Sequence, residues 1–460
     1  MRSRQFRAVG QSGPIPNSSI TTSSTKAGTL RPGNSRNSFQ KRFARASDHY
    51  ANSGVEENNT DKHLESYKEE RHFTWLEAFY DLIVAIIVFE LSRELSEDVS
   101  VFGFLSFVAL FVPVVWSWVG VTFYSTRFAT DDLAHRLLML LQIAATAFMA
   151  VSVHDGLREN SSWFALSYAI TRVILVIEYV RTRRHVPDAR ELITRYSIGF
   201  SIVAGIWFVS VFVPLPFRLF LWVVAMGIDI GMPLLFPRRL SVQFAPNVHH
   251  LPERLGFLTI IVLGISILGV VNGIAAHNWT IPSIVCAALG LGITFSLWWV
   301  YFDTVDGSEI RALRENKQIG IYLTWLYIHF PLIIGLTTLG VSIEHIVLSN
   351  QALPLPSSET WLLCISAFLC LLTLGVIQMT SAMTTKFISP SSSANLKKAR
   401  TYAAAVYSIV SATAVLVIGA ILKDGILILP AFLLGFIAIA CIGEVILDVR
   451  RHPHHRFSNF

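Results

Sequence analysis

Carboxylates in a strongly apolar stretch are the residues of this sequence with the clearest capacity for chemistry. Glu77 and Asp81 lie in a run, residues 73–91, that is otherwise apolar enough to cross a bilayer as a helix. An acidic side chain near the centre of a bilayer costs about 2.5–3.5 kcal/mol on insertion scales, so its presence indicates a function. The two residues are four apart, which places them one turn apart on one helix face. The spacing predicts a proton or cation site there, whereas Glu90 faces the other way and lies near the far interface with Arg93.

Residues within or at the ends of other spans are the candidate partners of these carboxylates. Arg172 falls in the middle of the fourth apolar span, and His250, Glu253 and Arg254 crowd the entrance of the seventh. Glu253 follows Pro252 in a first helical turn, where an acidic residue complements the helix dipole, so capping alone explains it. An arginine beside a buried carboxylate favours its charged form, whereas burial favours its neutral form. A change of surroundings could therefore bind and release a proton.

The composition is that of a helical membrane protein. The chain has 460 residues, of which 53% are hydrophobic and 15% charged, and apolar runs of about 20 residues recur along it. The formal net charge is +6, but the excess Lys and Arg lie beside the apolar runs. This favours cytoplasmic loops over nucleic-acid binding. The four cysteines all fall within apolar runs, so neither a disulfide nor a metal site is expected.

Hydropathy predicts twelve spans with both chain termini in the cytoplasm. Lys and Arg concentrate in the loops of one side, as the positive-inside rule requires. We expect residues 1–70 to form a disordered basic cytoplasmic tail, residues 71–450 the membrane domain and residues 451–460 a second cytoplasmic tail. The expected spans are 73–92, 101–123, 133–153, 162–180, 196–213, 217–236, 252–272, 281–302, 319–341, 359–380, 401–422 and 425–447.

Two similar segments suggest that the membrane domain consists of two parallel six-helix halves, 71–243 and 244–450. Glu77 begins the first span and Glu253 the seventh, and a run rich in Ile and Val follows each. The next span of each half carries a tryptophan pair, Trp116 with Trp118 and Trp298 with Trp299. Transporters built from repeats bind their substrate between the halves.

Motifs of membrane enzymes are missing from the sequence. Tyr80-Asp81 matches half of an intramembrane aspartyl protease site, but Ile293 follows Gly290-Leu-Gly292 where the second aspartate would stand. There is no HExxH zinc motif and no P-loop. We therefore expect no enzymatic activity, no cofactor and no metal.

Four stretches, taken in order, resemble a known family. They are Trp-Leu-Glu-x-Phe-Tyr-Asp-Leu in the first span, Arg127-Phe-Ala-Thr-Asp131-Asp132, His250-Leu-Pro-Glu253-Arg254-Leu-Gly with Ile-Ile-Val-Leu-Gly, and Trp298-Trp299-Val-Tyr-Phe-Asp303. Together they resemble the low temperature requirement A family of multispanning membrane proteins, over residues 71 to about 450. The resemblance implies a helical membrane fold but no defined activity. One position departs from it: Ile265 stands where the family usually carries glutamate, so a function that needs that carboxylate would be altered here.

Two hypotheses of different classes explain these features. The first is a secondary transporter or permease of the cell membrane, in which Glu77 and Asp81 bind a proton or cation and Arg172, Arg254 or His250 are their partners. The second is a structural or regulatory membrane protein whose buried charges fix helix packing. The lipid bilayer is a partner in both, and the transporter hypothesis adds a small solute or ion. The sequence determines neither that solute nor the oligomeric state.

Overall fold

Helical structure begins where the sequence turns from polar to apolar. The computed structural model describes residues 74–128, 132–232, 250–276, 279–305, 318–349, 353–388, 392–422 and 429–451. The predictions for the basic tail, for the carboxyl-terminal tail beyond Arg451 and for Asp131 lie outside these residues. The described ranges cover most of the predicted membrane domain.

Thirteen α-helices and one short 3₁₀ helix, Pro187–Ala189, make up the described part of the chain, which contains no strand. This confirms the all-α polytopic fold class predicted from hydropathy. In chain order the α-helices are α1 Trp75–Glu97, α2 Val101–Arg127, α3 Leu133–Val153, α4 Ser161–Thr182, α5 Arg190–Ser210, α6 Phe217–Gly231, α7 His250–Ala276, α8 Ile281–Thr304, α9 Ile319–Tyr327, α10 His329–Leu348, α11 Ser357–Ile388, α12 Ser392–Leu422 and α13 Pro430–Arg451.

Ten of the twelve predicted spans coincide with described segments that are long and apolar enough to cross a membrane. One of them, Gly320–Leu348, contains both α9 and α10, which are separated at Ile328. Pro331 explains the separation, because it has no N–H to donate to the carbonyl of Tyr327. The two remaining spans are helical as well: α1 carries acidic residues along its length, and 15 residues of α6 are described.

Large apolar side chains on the outside of the bundle indicate a lipid-facing surface. Phe102, Val151, Phe212, Phe220 and Ile439 are all largely exposed. Soluble proteins rarely expose so much contiguous apolar surface, whereas hydrocarbon requires it. The helices are therefore those of an integral membrane protein.

Helix α1 has a central position in the bundle, where it packs against α2, α3, α7 and α10. Its buried residues include Tyr80, Val84, Ile87, Leu91 and Leu95, which follow the three- and four-residue spacing of one helix face. The helix thus contacts both predicted halves of the domain.

The same neighbour pairs occur in the two predicted halves. The pairs α1–α2, α1–α3, α3–α4, α4–α5 and α5–α6 correspond to α7–α8, α7–α10, α10–α11, α11–α12 and α12–α13. The division of the domain into two halves stays a prediction, and this recurrence is an observation in its favour.

Side-chain caps fix where several helices begin. The hydroxyl of Ser100 accepts from the backbone N–H of Gly103 at 3.1 Å, and the carboxylate of Asp132 accepts from that of His135 at 3.1 Å. These bonds satisfy N–H groups that have no partner within the helix. The beginnings of α2 and α3 are therefore encoded locally.

Candidate functional site

Asp81 is buried where three helices meet. Its side chain, on α1, is 0% exposed. Oδ1 accepts a hydrogen bond of 2.6 Å from Nε1 of Trp118 on α2. Both carboxylate oxygens face Arg254 on α7, whose Nε donates to Oδ2 at 3.2 Å and whose Nη2 donates to Oδ1. One carboxylate thus holds donors from two other helices.

Arg254 is as deeply buried as its partner. Its side chain is 0% exposed, and Nη1 donates to Oγ of Ser125 at 3.2 Å. The guanidinium carbon lies 5.6 Å from the ring centre of Trp118, within the range of a cation–π contact. Trp118 therefore contacts both members of the ion pair, and Ser125 offers the guanidinium a second acceptor.

Local sequence explains why both charges reach this place. Asp81 lies in the second turn of α1, and a capping box formed by Thr74 and Glu77 fixes where that helix begins. On α7, the buried residues Leu251, Leu255 and Leu258 lie three residues before Arg254, next to it, and four residues after it. This spacing puts the arginine on the apolar, inward face of its helix.

The two side chains form a tightly coupled, fully buried ion pair. Two hydrogen bonds between a guanidinium and a carboxylate are strong in a medium of low dielectric constant. Removing either partner leaves an uncompensated buried charge, which costs far more than the pair itself contributes. A proton or cation that reached Asp81 would replace Arg254 as the counter-charge.

Glu77, the second predicted carboxylate, caps α1. Its Oε2 accepts hydrogen bonds from the backbone N–H and the hydroxyl of Thr74, at 3.0 and 2.9 Å. Its own N–H donates to Oγ1 of Thr74 at 3.3 Å. This reciprocal pair is a capping box. That Glu77 and Asp81 hold one ion together stays a prediction; in this structure the Glu77 carboxylate caps the start of the helix, one turn before Asp81.

Arg172, predicted as a partner of those carboxylates, pairs instead with Asp229. Its Nε lies 2.9 Å from Oδ2 of Asp229 on α6, and both side chains are 0% exposed. Nη2 donates to the carbonyl of Trp116 at 3.1 Å, and the Tyr168 hydroxyl donates to Oδ2 of Asp229 at 2.8 Å. The first half of the chain thus contains a second buried ion pair, which joins α4 to α6.

Arg127 lies among aromatic rings at the end of α2. Its guanidinium carbon is 5.1 Å from the ring centres of both Phe123 and Tyr196. Nη1 donates to the hydroxyl of Tyr179 at 3.5 Å. These contacts hold the arginine away from the Asp81 pair.

Asp132 has a local role at the beginning of α3. Besides accepting from the His135 N–H, it forms an ion pair with Arg181 of α4. The His135 N–H first, and then Arg181, lower the pKa of the Asp132 carboxyl. The carboxylate is therefore charged at neutral pH, and its ion pair joins the start of α3 to the end of α4.

The other predicted residues lie near helix ends. His250 is the first residue of α7, and Glu253 is exposed in its first turn. On α8, Trp298 is half-buried, whereas Trp299 and Asp303 are exposed. Within the described ranges, no three His, Cys, Asp or Glu side chains come together as metal ligands would.

Some buried carboxylates escaped the sequence analysis, among them Glu178 and Glu444. Glu178 on α4 lies 3.4 Å from Nδ1 of His135, and Glu444 on α13 accepts from Nε2 of Gln378 at 3.3 Å. Both are 1% exposed. The rule that selected Asp81, an ionisable residue inside an apolar span, would also have selected these two.

Ile265, where the sequence departs from the family pattern, lines a cavity of about 230 Å³ between α1, α7 and α10. Ser92, Ser96, Asn272 and Glu344 also line it. The cavity therefore already contains a carboxylate, from α10, close to the position that lacks one on α7.

Comparison with known proteins places these residues in a family. A family model described as bacterial low temperature requirement A protein (LtrA) matches residues 72–447. An uncharacterized protein of Rhizobium meliloti (strain 1021) is 24% identical over an alignment of 274 residues, which covers 56% of this chain and 66% of the relative, just under two thirds of its length. No solved structure matches the chain. Asp81 and Arg254 both lie within the range that the family model matches.

Proposed function

This chain belongs to the bacterial low temperature requirement A family, and we propose that it is a secondary transporter or permease in which Asp81 binds a proton or a cation. Its cargo is a small solute or ion. The proposal places it in the cell membrane with both termini in the cytoplasm, which the distribution of Lys and Arg supports. It includes no enzymatic step and no cofactor.

The observation that carries the proposal is the position of the Asp81–Arg254 pair. It joins α1 to α7, which are the first helices of the two predicted halves. Transporters built from repeats have their ion and substrate sites at the interface between repeats. An ionisable residue inside a membrane segment is expensive, and its retention favours a role in an ion pathway.

Competition between Arg254 and the incoming ion provides a mechanism. In the paired state, Arg254 is the counter-ion of Asp81 and ties α7 to α1. When a proton or cation neutralises the carboxylate, the attraction between the two helices falls. Arg254 then retains its bond to Ser125, and the helices are free to separate. Release of the ion on the other side restores the pair, which couples ion movement to a change of shape.

Ion flux in liposomes tests the proposal, with two acidic residues of α1 compared. Purified protein, Asp81→Asn and Glu77→Gln are incorporated at equal density, and proton and monovalent cation fluxes are measured under imposed gradients. We expect Asp81→Asn to abolish the flux. Glu77→Gln should retain it, because glutamine also serves in a capping box.

The flux measurements on the two variants and the wild type can each contradict the proposal. Flux that survives in Asp81→Asn, with the variant folded, would contradict the role of the carboxylate. Loss in Glu77→Gln alone would restore the ion site to the first turn of α1. An inactive wild-type protein under every gradient would favour a role without transport.

A structural role is the second candidate, and the completeness of the Asp81 contacts favours it. Trp118 and Arg254 together supply three donors to this carboxylate, as a purely structural tie would. The exchange Asp81→Arg with Arg254→Asp separates the two functions. A structural pair should fold again in the exchanged protein, whereas flux should not return if the carboxylate must titrate on α1.

A further inference from the structure

Polar side chains follow the buried face of α3. His135, Gln142 and Thr146 are separated by seven and four residues, so they lie on one side of the helix. All three are buried, Gln142 and Thr146 almost completely. These polar side chains lie inside the first half of the bundle, with the buried Met139 between His135 and Gln142, on a helix whose outer face is apolar.

Many polar atoms along this line have no hydrogen-bond partner among the described residues. They are both side-chain heteroatoms of Gln142, the hydroxyl oxygens of Thr146 and Tyr80, Nδ1 of His135 and both carboxylate oxygens of Glu178. At one end, His135 and Glu178 approach each other to 3.4 Å. At the other end, Tyr80 precedes Asp81 on α1.

The unpartnered groups lie close together without touching. The Tyr80 hydroxyl lies within interaction range of Gln142, Thr146 and Ser117, but none of these contacts has the geometry of a direct hydrogen bond. The hydroxyl of Ser117 donates to the carbonyl of Val114 instead. A buried polar atom without a partner is costly, and ordered water that bridges several such atoms removes the cost.

Charge selects water over a cation as the bridging species. Arg254 and Arg172 both lie within electrostatic range of the Tyr80 oxygen. Each guanidinium is paired with a carboxylate, Arg254 with Asp81 and Arg172 with Asp229, so these groups leave no net negative charge that would hold a metal cation beside Tyr80. A neutral molecule that both donates and accepts satisfies an amide, a phenol and a hydroxyl together.

We propose that a file of water molecules runs along α3, from the Glu178–His135 pair to Tyr80, and that it delivers protons to Asp81. Each water accepts one proton on one side and releases another on the other, so one proton enters at Glu178 and one arrives at Asp81 with no net change in the file. The presence of water along α3 does not depend on the proposed function. Proton delivery does rest on the proposed function, and it identifies the coupling ion as a proton.

Stability measurements test the hydration. Thr146→Val and Gln142→Met replace unpartnered groups with apolar groups of similar size. The control is Thr337→Val on α10, because Thr337 is fully buried and its hydroxyl bonds to the carbonyl of Ile333 in its own helix. If water bridges the line, both variants should melt below wild type and below the control. Melting above the control would mean a dry interior and would overturn the proposal.

Proton flux tests the delivery in the same folded variants, with Asp81→Asn as reference. We expect Thr146→Val to reduce the proton flux about tenfold, which corresponds to about 1.4 kcal/mol in the barrier. Unchanged flux in Thr146→Val and Gln142→Met, together with lost flux in Asp81→Asn, would overturn the route and leave the proposed function standing. Absence of flux in wild type would overturn proton delivery together with the proposed function, and the melting comparison would still decide the hydration.

Discussion

Removal of the Asp81 charge should destabilise the protein far more than removal of an exposed charge on the same helix. Asp81→Asn leaves Arg254 charged and buried, with one amide oxygen in place of a carboxylate that holds three donors. Breaking a buried pair from one side costs about 3–5 kcal/mol. Glu90→Gln is the matched control. Its pair with Arg93 is 3.2 Å long but exposed on both sides, and such pairs contribute about 0–1 kcal/mol.

A double variant separates the energy of the Asp81–Arg254 interaction from the cost of leaving one buried charge without its partner. In Asp81→Asn with Arg254→Met, no buried charge remains, so the double variant should cost less than either single variant. The free energy of unfolding is measured by titrating detergent-solubilised protein with sodium dodecyl sulfate, followed by far-ultraviolet circular dichroism. Equal costs for Asp81→Asn and Glu90→Gln, or additive costs in the double variant, would refute the description of the site as a tightly coupled buried pair.

Two further perturbations test contacts elsewhere in the first half of the bundle. Gly120→Ala places a Cβ 2.6 Å from Nη1 of Arg172, so it should lower the melting temperature, although alanine favours a helix over glycine by about 1 kcal/mol. Gly205→Ala is the control: its Cβ meets nothing within 4 Å, so it should not lower the melting temperature. The hydrogen bond and ion pair with Glu94 raise the pKa of His154 at the end of α3. The contribution of this pair to the stability of the folded protein is therefore fully present below the ordinary pKa of histidine, and it is lost as pH rises through the raised pKa of His154. Wild type should melt above His154→Gln near about pH 6, with a difference that vanishes by about pH 9; a constant difference would contradict the reasoning.

The fold could be predicted from the sequence because a bilayer imposes a simple rule. A run of about 20 apolar residues has to be a helix, since no other backbone satisfies its own polar groups in hydrocarbon. Ten predicted spans match described helices that are long and apolar enough to cross a membrane. Helix ends were harder, because caps and prolines decide them: α9 and α10 separate at Ile328 within one predicted span.

The candidate site was predicted only in part. The cost of a charge in lipid singles out Asp81, Arg172 and Arg254 from the sequence, and all three are fully buried. The free-energy cost of placing a charge in lipid does not depend on its partner, so it does not predict which acidic residue pairs with which basic residue. Glu77 illustrates the limit, because four-residue spacing puts it on the face of Asp81, yet its carboxylate turns back to Thr74.

The sequence by itself determined the helices, the membrane and the short list of residues that are costly to bury, since these depend on local hydropathy and spacing. Only the tertiary structure decided the pairs: Asp81 with Arg254 across 173 positions, and Arg172 with Asp229. Pairing depends on which helix faces meet, and packing of whole helices sets those faces. The polar atoms along α3 that lack a hydrogen-bond partner among the described residues became visible for the same reason, because only the packed helices show which groups lie within reach of one another.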